Sequence, residues 1–324
     1  MTSQMQFPKR TLGQTNIMIT PIGLGMMEFA GGGGLLGSAF PVIPQADKNA
    51  IVKAALDGGI NWFDTAELYG NGISEVSLTT ALKAAGKADG DVVIATKWWP
   101  LFRTARNISR TIYDRIRFLD GYSISNYMVH QPLSFSSPEA EMEAMANLVA
   151  SGKIRSVGVS NFSAARMRRA HTALQKRGLP LAVNQMRYSL LDRSIERNGV
   201  LDTAKELGVT VIAYTPLELG LLSGKYHRNP ELIGKKPIWQ RARLMTRVVQ
   251  TRPLIDALEE IAADHSVTAA QVALNWTVNF HGETIVTIPG VTKVHQAEET
   301  AGAMNFRLTP ADLVRLDELS RISR

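Results

Sequence analysis

Eight short apolar, β-branched runs recur along this chain, each followed by a helix-like stretch and then by another such run. No other feature limits the fold as much. The strand candidates are residues 22–25, 61–64, 92–96, 127–130, 156–159, 182–185, 210–214 and 284–288, with amphipathic stretches at 46–57, 75–84, 138–150, 164–177 and 200–207. Ser137-Pro138-Glu139 puts a capping hydroxyl, a proline at the first helical position and an acid in the first turn of one helix. Gly58, Gly152, Gly178 and Gly208 stand where helices should stop. Strands that each feed a helix pack best as a parallel sheet. An open doubly wound sheet would place G-x-G-x-x-G after the first strand. Gly23 and Gly25 do not form it, and Gly31 to Gly34 lie in a loop.

The expected fold is therefore an α/β (β/α)8 TIM barrel. It is read as one domain over residues 1–324, with a core of 15–320 and an extra C-terminal helix at 309–320. The chain's 324 residues suit a barrel of about 250 residues with insertions. Two long connections, 26–45 and 215–251, should emerge at the C-terminal rim, where barrel active sites lie. The first is glycine-rich and apolar, and Phe29, Leu35, Leu36 and Phe40 suit a lid, packing on the flank or a subunit contact.

Composition excludes several alternatives. The chain has no cysteine, so disulfides and thiolate metal sites are ruled out, and its six histidines show no zinc-like spacing. No metal is expected. No apolar run approaches the ~20 residues of a membrane span, and residues 1–10 lack the apolar core of a signal peptide. No membrane partner and a cytoplasmic location are expected. The net charge of +7 is modest. Arg166-Met167-Arg168-Arg169 reads as a solvated helix face, and Arg241, Arg243, Arg247 and Arg252 carry no nucleic-acid motif, so no nucleic-acid partner is expected. The oligomeric state is left open.

Three strands end in residues able to do chemistry. Asp64, Lys97 and His130 follow one another at steps of 33 residues, one strand-helix unit each, and Tyr69 comes five residues after Asp64. The repeat returns all of them to one rim on neighbouring strands. A free tyrosine ionises near ~10. An ammonium beside it stabilises the phenolate, so Lys97, anchored by Asp64, is expected to make Tyr69 a better acid. His130 is placed to hydrogen-bond a substrate carbonyl. Singly, each residue has an ordinary explanation as a helix cap, a solvated lysine or a structural histidine. Together, at consecutive repeats, they form a tuned general acid.

The run from Gly58 to Gly70, GGINWFDTAELYG, resembles the signature of the aldo-keto reductases. Further matches are Ala95-Thr96-Lys97, Val129-His130, the run from Gly152 to Phe162, Asn184-Gln185, the run from Ala213 to Leu217, the run from Gly220 to Lys225, and Ile288-Pro289-Gly290. They span about residues 10–320. The resemblance implies a single barrel that moves hydride between NADPH, or NADH, and an aldehyde, ketone or sugar, with Asp64, Tyr69, Lys97 and His130 as the catalytic four. It also implies that Ser160, Asn161 and Gln185 hold the nicotinamide carboxamide, that Tyr214 stacks on its ring, and that Thr215, Pro216, Leu217 and Lys225 wrap the pyrophosphate. After Gly290 many relatives carry an arginine for the 2′-phosphate. This chain has Thr292 and Lys293, a neutral donor and a point charge, with Gln296, Glu299 and Thr300 at positions that resemble adenine and ribose contacts. NADPH is favoured and NADH stays open.

In the substrate pocket, Trp98 and Trp99 directly follow the catalytic lysine and are expected to line the mouth. Glu28 either meets a polar or cationic substrate group or sits in solvent. Two other functions fit less of the sequence: a coenzyme-binding sensor or interaction subunit with little turnover, and a barrel lyase or isomerase that uses Asp, Lys and Tyr without nicotinamide.

Overall fold

The computed structural model describes residues 9–33 and 41–322. Leu35, Leu36 and Phe40 lie outside them. Two short antiparallel strands, β1 (Arg10–Thr11) and β2 (Met18–Ile19), precede an eight-stranded parallel sheet. Its strands are β3 (Leu24–Gly25), β4 (Trp62–Asp64), β5 (Val93–Trp98), β6 (Asn126–Val129), β7 (Val157–Ser160), β8 (Leu181–Arg187), β9 (Thr210–Tyr214) and β10 (Ile285–Thr287), paired in chain order. Backbone bonds join the first strand to the last: Gly23 N donates to Thr287 O (2.8 Å) and Gly25 N to Pro289 O (3.0 Å). The sheet is thus a closed barrel, and all eight expected strands are in it.

Alternation along each strand separates two apolar layers. Trp62, Ala95, Met128, Val183, Ile212 and Val286 fill the barrel, and Leu12, Ile17 and Ile19 of the β1–β2 hairpin join them as a plug. Ile94, Trp98, Tyr127 and Val129 face outward onto the helices. Burying each such side chain contributes roughly 1.5–3 kcal/mol.

The outer layer comprises α1 (Gln45–Asp57), α2 (Ile73–Ala84), α3 (Ile108–Phe118), α4 (Pro138–Ala150), α5 (Ala164–Gln175), α6 (Val200–Leu207), α7 (Lys225–Arg228), α8 (Glu231–Gly234), α9 (Ile238–Asp264), α10 (Ala269–Asn279), α11 (Val294–Gly302) and α12 (Pro310–Ile322). Ser137 caps α4 as expected, its side chain accepting from Ala140 N. The reading of 215–251 as a long loop is corrected, because α7, α8 and half of α9 lie within it. Pro230 and Pro237 precede helices there instead of breaking them, since proline suits a helix start. Gly58 does end α1 as expected, though not as a left-handed cap. Its φ of −78° is not left-handed, and a Cβ there would stand 2.4 Å from the Cβ of Ala301, so this glycine serves the close approach of α11 to α1.

Candidate active site

Asp64 ends β4, and the ladder to β5 continues past it: Thr65 N donates to Ala95 O (2.8 Å) and Glu67 N to Lys97 O (3.1 Å). The chain then turns back, with Tyr69 N donating to Ala66 O (3.0 Å) and Gly70 at φ +72°. A left-handed residue is needed there, which glycine supplies without steric cost. This turn delivers the Tyr69 phenol over the barrel mouth beside Lys97, whose Nζ is 5.0 Å from the phenol ring centroid.

Lys97 and Asp64 are 0% and 1% exposed, so their charges must be compensated inside the protein. Lys97 Nζ bonds Asp64 Oδ1 and donates to Thr65 O (2.9 Å). Gln185 Nε2 donates to Asp64 Oδ2 (2.9 Å). Burial pushes the Asp64 carboxyl up and the Lys97 ammonium down, and each partner opposes the other's shift. His130 N donates to Trp98 O (3.0 Å), and its ring stands edge-on to Tyr69 at 5.7 Å and to Trp99 at 5.4 Å between centroids. Burial, then the Lys97 charge, hold this imidazole well below its ordinary pKa, so it is neutral at pH 7. Its Nδ1 is buried with no protein partner. The four residues expected to act together are together.

One expectation about them fails. The Tyr69 phenol is held well above its ordinary pKa, first by burial and then by the charges of Asp64 and Glu28. Desolvation decides, and the nearby carboxylates push the same way.

The remaining expected residues divide. Asn161, left-handed at φ +59°, accepts from Tyr214 Oη at its Oδ1 (3.0 Å) and donates from Nδ2 to Ser160 Oγ (3.0 Å). Its backbone N donates to Gln185 O (2.9 Å), so these four residues form one polar shelf on β7, β8 and β9. Thr215 is left-handed (φ +57°), Pro216 is buried, and Leu217 packs against the core. Lys225 folds over Gly220, where a Cβ would meet Nζ at 2.3 Å. Beyond β10, Gly290 and Lys293 are exposed, and Thr292 N donates to Gln296 Oε1 (2.8 Å). Glu299 instead accepts from Thr268 Oγ1 (2.6 Å), and Thr300 is buried at 3% exposure. Trp99 reaches the mouth beside His130, but Trp98 does not. Its place in the strand alternation turns it outward into the helix layer, fully buried, with Nε1 donating to Asn107 Oδ1 (3.0 Å). Glu28 is not in solvent. Its carboxyl lies over Gly290 with Oε2 buried.

Two supporting groups had not been singled out. Glu67 holds the mouth loop by accepting from Trp99 N (3.0 Å) and Arg103 Nη1 (2.6 Å). Glu218, buried and left-handed at φ +48°, accepts from Arg187 (2.8 Å) and from Arg247 of α9 (2.9 Å), tying the segment after β9 to that helix. The position of Glu67 two residues before Tyr69 hinted at its role, whereas Glu218 needs α9, half of which lies in the segment read as a loop.

The residues fit a nicotinamide coenzyme. The shelf offers amide donors and acceptors, Tyr214 is half-buried beside it, and buried polar atoms of His130 and Glu28 are left unpartnered. Among the described residues no cluster of three or more His, Asp or Glu is placed for a metal, and no helix is long and apolar enough to cross a membrane.

A closed parallel barrel with a buried lysine–aspartate pair, a phenol and a neutral imidazole at its C-terminal mouth defines a class of barrel oxidoreductase. Comparison with known proteins narrows the class. The chain belongs to the aldo/keto reductase family, whose profile matches residues 21–321. It is 33% identical over 287 residues to the chloroplastic pyridoxal reductase of Arabidopsis thaliana, covering 84% of this chain and 76% of that one. It is 31% identical to an aldo-keto reductase of Strobilurus tenacellus, covering 98% and 94%. Among solved structures it resembles the thermostable aldo-keto reductase Tm1743, crystallised with the inhibitor epalrestat, at a TM-score of 0.74 and 28% identity over 96% of this chain and 99% of that one. The protein is thus an NAD(P)H-dependent enzyme that interconverts carbonyls and alcohols, and the sensor alternative is not favoured.

Proposed function

We propose that the protein reduces the carbonyl of an aldehyde, ketone or sugar with NADPH, and that Tyr69 is the proton donor. The observation that carries this reading is the fully buried Lys97–Asp64 pair set beside Tyr69 and His130. Bound coenzyme supplies the hydride to the carbonyl carbon. Negative charge then grows on the carbonyl oxygen, and His130, neutral with one N–H to give, steadies it there. Tyr69 Oη–H passes its proton to that oxygen, which leaves an alcohol and a phenolate. Lys97 holds a positive charge beside the phenolate and Asp64 keeps that charge in place. A raised phenol pKa suits this order, because Tyr69 stays protonated until negative charge appears on the substrate.

Ser160, Asn161 and Gln185 are assigned to the nicotinamide carboxamide and Tyr214 to its ring. Thr215, Pro216, Leu217 and Lys225 are assigned to the pyrophosphate. Exposed Lys293 with Thr292, at the start of α11, supports the choice of NADPH, since a cation and helix N–H groups suit a 2′-phosphate. Trp99 gives the substrate pocket an aromatic wall. A cytoplasmic location goes with this reading, and cell fractionation tests it. Tyr69→Phe should lower turnover on an aldehyde panel by about 10²–10⁴-fold, followed by the absorbance of the reduced coenzyme, with coenzyme affinity nearly unchanged. An unaltered rate would remove Tyr69 from the mechanism.

A further inference from the structure

Glu28 sits on the short turn Met27–Ala30 directly after β3. That turn lies where the barrel closes, since Gly25 bridges Gly290 and Gly25 N donates to Pro289 O (3.0 Å). The carboxyl occupies the space above Gly290, where an added Cβ would stand 2.2 Å from Oε1 and 2.4 Å from Oε2. Oε2 is buried with no hydrogen-bond partner. A buried carboxyl oxygen left unpaired is costly, and in a binding site it marks where a ligand group belongs.

The surrounding charges do not supply a partner. From α1, Lys48 Nζ donates instead to Phe29 O and Ser77 Oγ (2.8 Å each). On α2, Glu75 is paired with Arg115 and accepts from Thr96 Oγ1. Lys97 is bound to Asp64, and Lys293 and His295, beyond β10, are exposed. The Tyr69 phenol feels the Glu28 charge but is itself neutral. Burial therefore raises the carboxyl to about 7, opposed only by its own backbone N–H.

A dinucleotide reaching from the shelf on β7, β8 and β9 to Thr292 and Lys293 must pass the end of β10, beside Gly290. We propose that Glu28 is a further coenzyme contact that is uncharged when coenzyme is bound, its carboxyl O–H donating to the ribose–diphosphate stretch over Gly290. The inference rests on the coenzyme reading above. An ionised Glu28 would set an uncompensated negative charge against the diphosphate, whereas the neutral acid presents a donor to it. Binding at neutral pH accordingly takes up a proton.

Coenzyme affinity is to be measured by tryptophan fluorescence between pH 6 and 8 for the wild type, Glu28→Gln and Glu28→Ala. Proton uptake at pH 7 comes from titration calorimetry in buffers of different ionisation heat. With a carboxyl near 7 in the free protein, the NADPH dissociation constant of the wild type should rise about tenfold over that range relative to Glu28→Gln, with uptake of about half a proton. Glu28→Gln keeps a donor at every pH and should bind at pH 8 at least as tightly as the wild type. Glu28→Ala should show the same flat profile with weaker binding.

The free protein provides a second readout. A carboxyl raised in the fold binds its proton more tightly folded than unfolded between about 4.5 and 7, so wild-type stability should fall across that window relative to Glu28→Gln. Equal pH slopes in wild type and Glu28→Gln, or tightening of the wild type as pH rises, would overturn this inference alone. Absence of coenzyme binding by all three proteins would overturn the coenzyme reading and this inference together.

Discussion

Asp64→Asn isolates the charge on which the site depends. Asparagine keeps the shape, and Gln185 can turn its amide to present Oε1, so the hydrogen bonds survive while the carboxylate is lost. Lys97, 0% exposed, then holds a charge that only neutral oxygens, Thr65 O and the asparagine Oδ1, solvate. Breaking a buried pair from one side costs about 3–5 kcal/mol. At ~2.1 cal/mol/K per residue of unfolding entropy, a chain of this length should lose roughly 4–7 °C in melting temperature. The deficit also has a signed pH dependence. Burial already lowers the Lys97 pKa from 10.5, and losing Asp64 lowers it further. Between that folded value and 10.5 the unfolded chain binds the proton and the fold does not, so stability rises with pH. The variant should recover up to roughly 1.4 kcal/mol per pH unit in that window. Denaturant unfolding of the free protein at pH 7 and pH 9 measures both effects. Adding Lys97→Met removes the stranded charge and should restore most of the stability with no activity, in a cycle that yields the coupling of the pair. A loss under about 1 kcal/mol at pH 7, or a deficit independent of pH, would refute a buried ionised pair.

Two further outcomes test the flanks of the site. Lys293→Met should weaken NADPH binding about tenfold, an energy of ~1.4 kcal/mol, and leave NADH unchanged; equal effects on both coenzymes would place the 2′-phosphate elsewhere. Trp99→Ala should raise KM for aromatic aldehydes about tenfold more than for short aliphatic ones, as stacking and apolar area are lost, and a uniform change would show that Trp99 serves only to order the loop.

The strands and the catalytic four were legible because both rest on short-range rules. An apolar run of four or five residues reads as a strand wherever it lands, and a step of 33 residues returns three successive strand ends to one rim. Tyr69 followed from its place after Asp64. Several helices escaped the pattern. α10 is buried over most of its surface, which leaves no polar face to set a period. In α11 only Ala297, Thr300 and Ala301 are buried, small side chains that give little apolar signal. α9 hid behind Pro237 and Pro253, although Leu254, Ile255 and Leu258 beyond the second proline are buried. Trp98 was misplaced by nearness to Lys97, for adjacent strand residues face opposite ways.

The sign of the Tyr69 shift shows what a list of motif residues omits. A lysine beside a phenol suggests a lowered pKa, but that inference counts one charge of a pair. At Tyr69 the Lys97 ammonium is accompanied by the Asp64 carboxylate, with the Glu28 carboxyl adding to the same side. Removal from water favours the neutral acid most, and both carboxylates favour it too. The balance changes when negative charge develops on a substrate oxygen, because the Tyr69 proton can then neutralise it while the phenolate left behind meets the fixed ammonium. In the resting fold the pair does not make Tyr69 more acidic. Its effect falls on the state after proton transfer, which it stabilises without having to move, and an arrangement that stabilises only that state raises the rate without tightening the ground state.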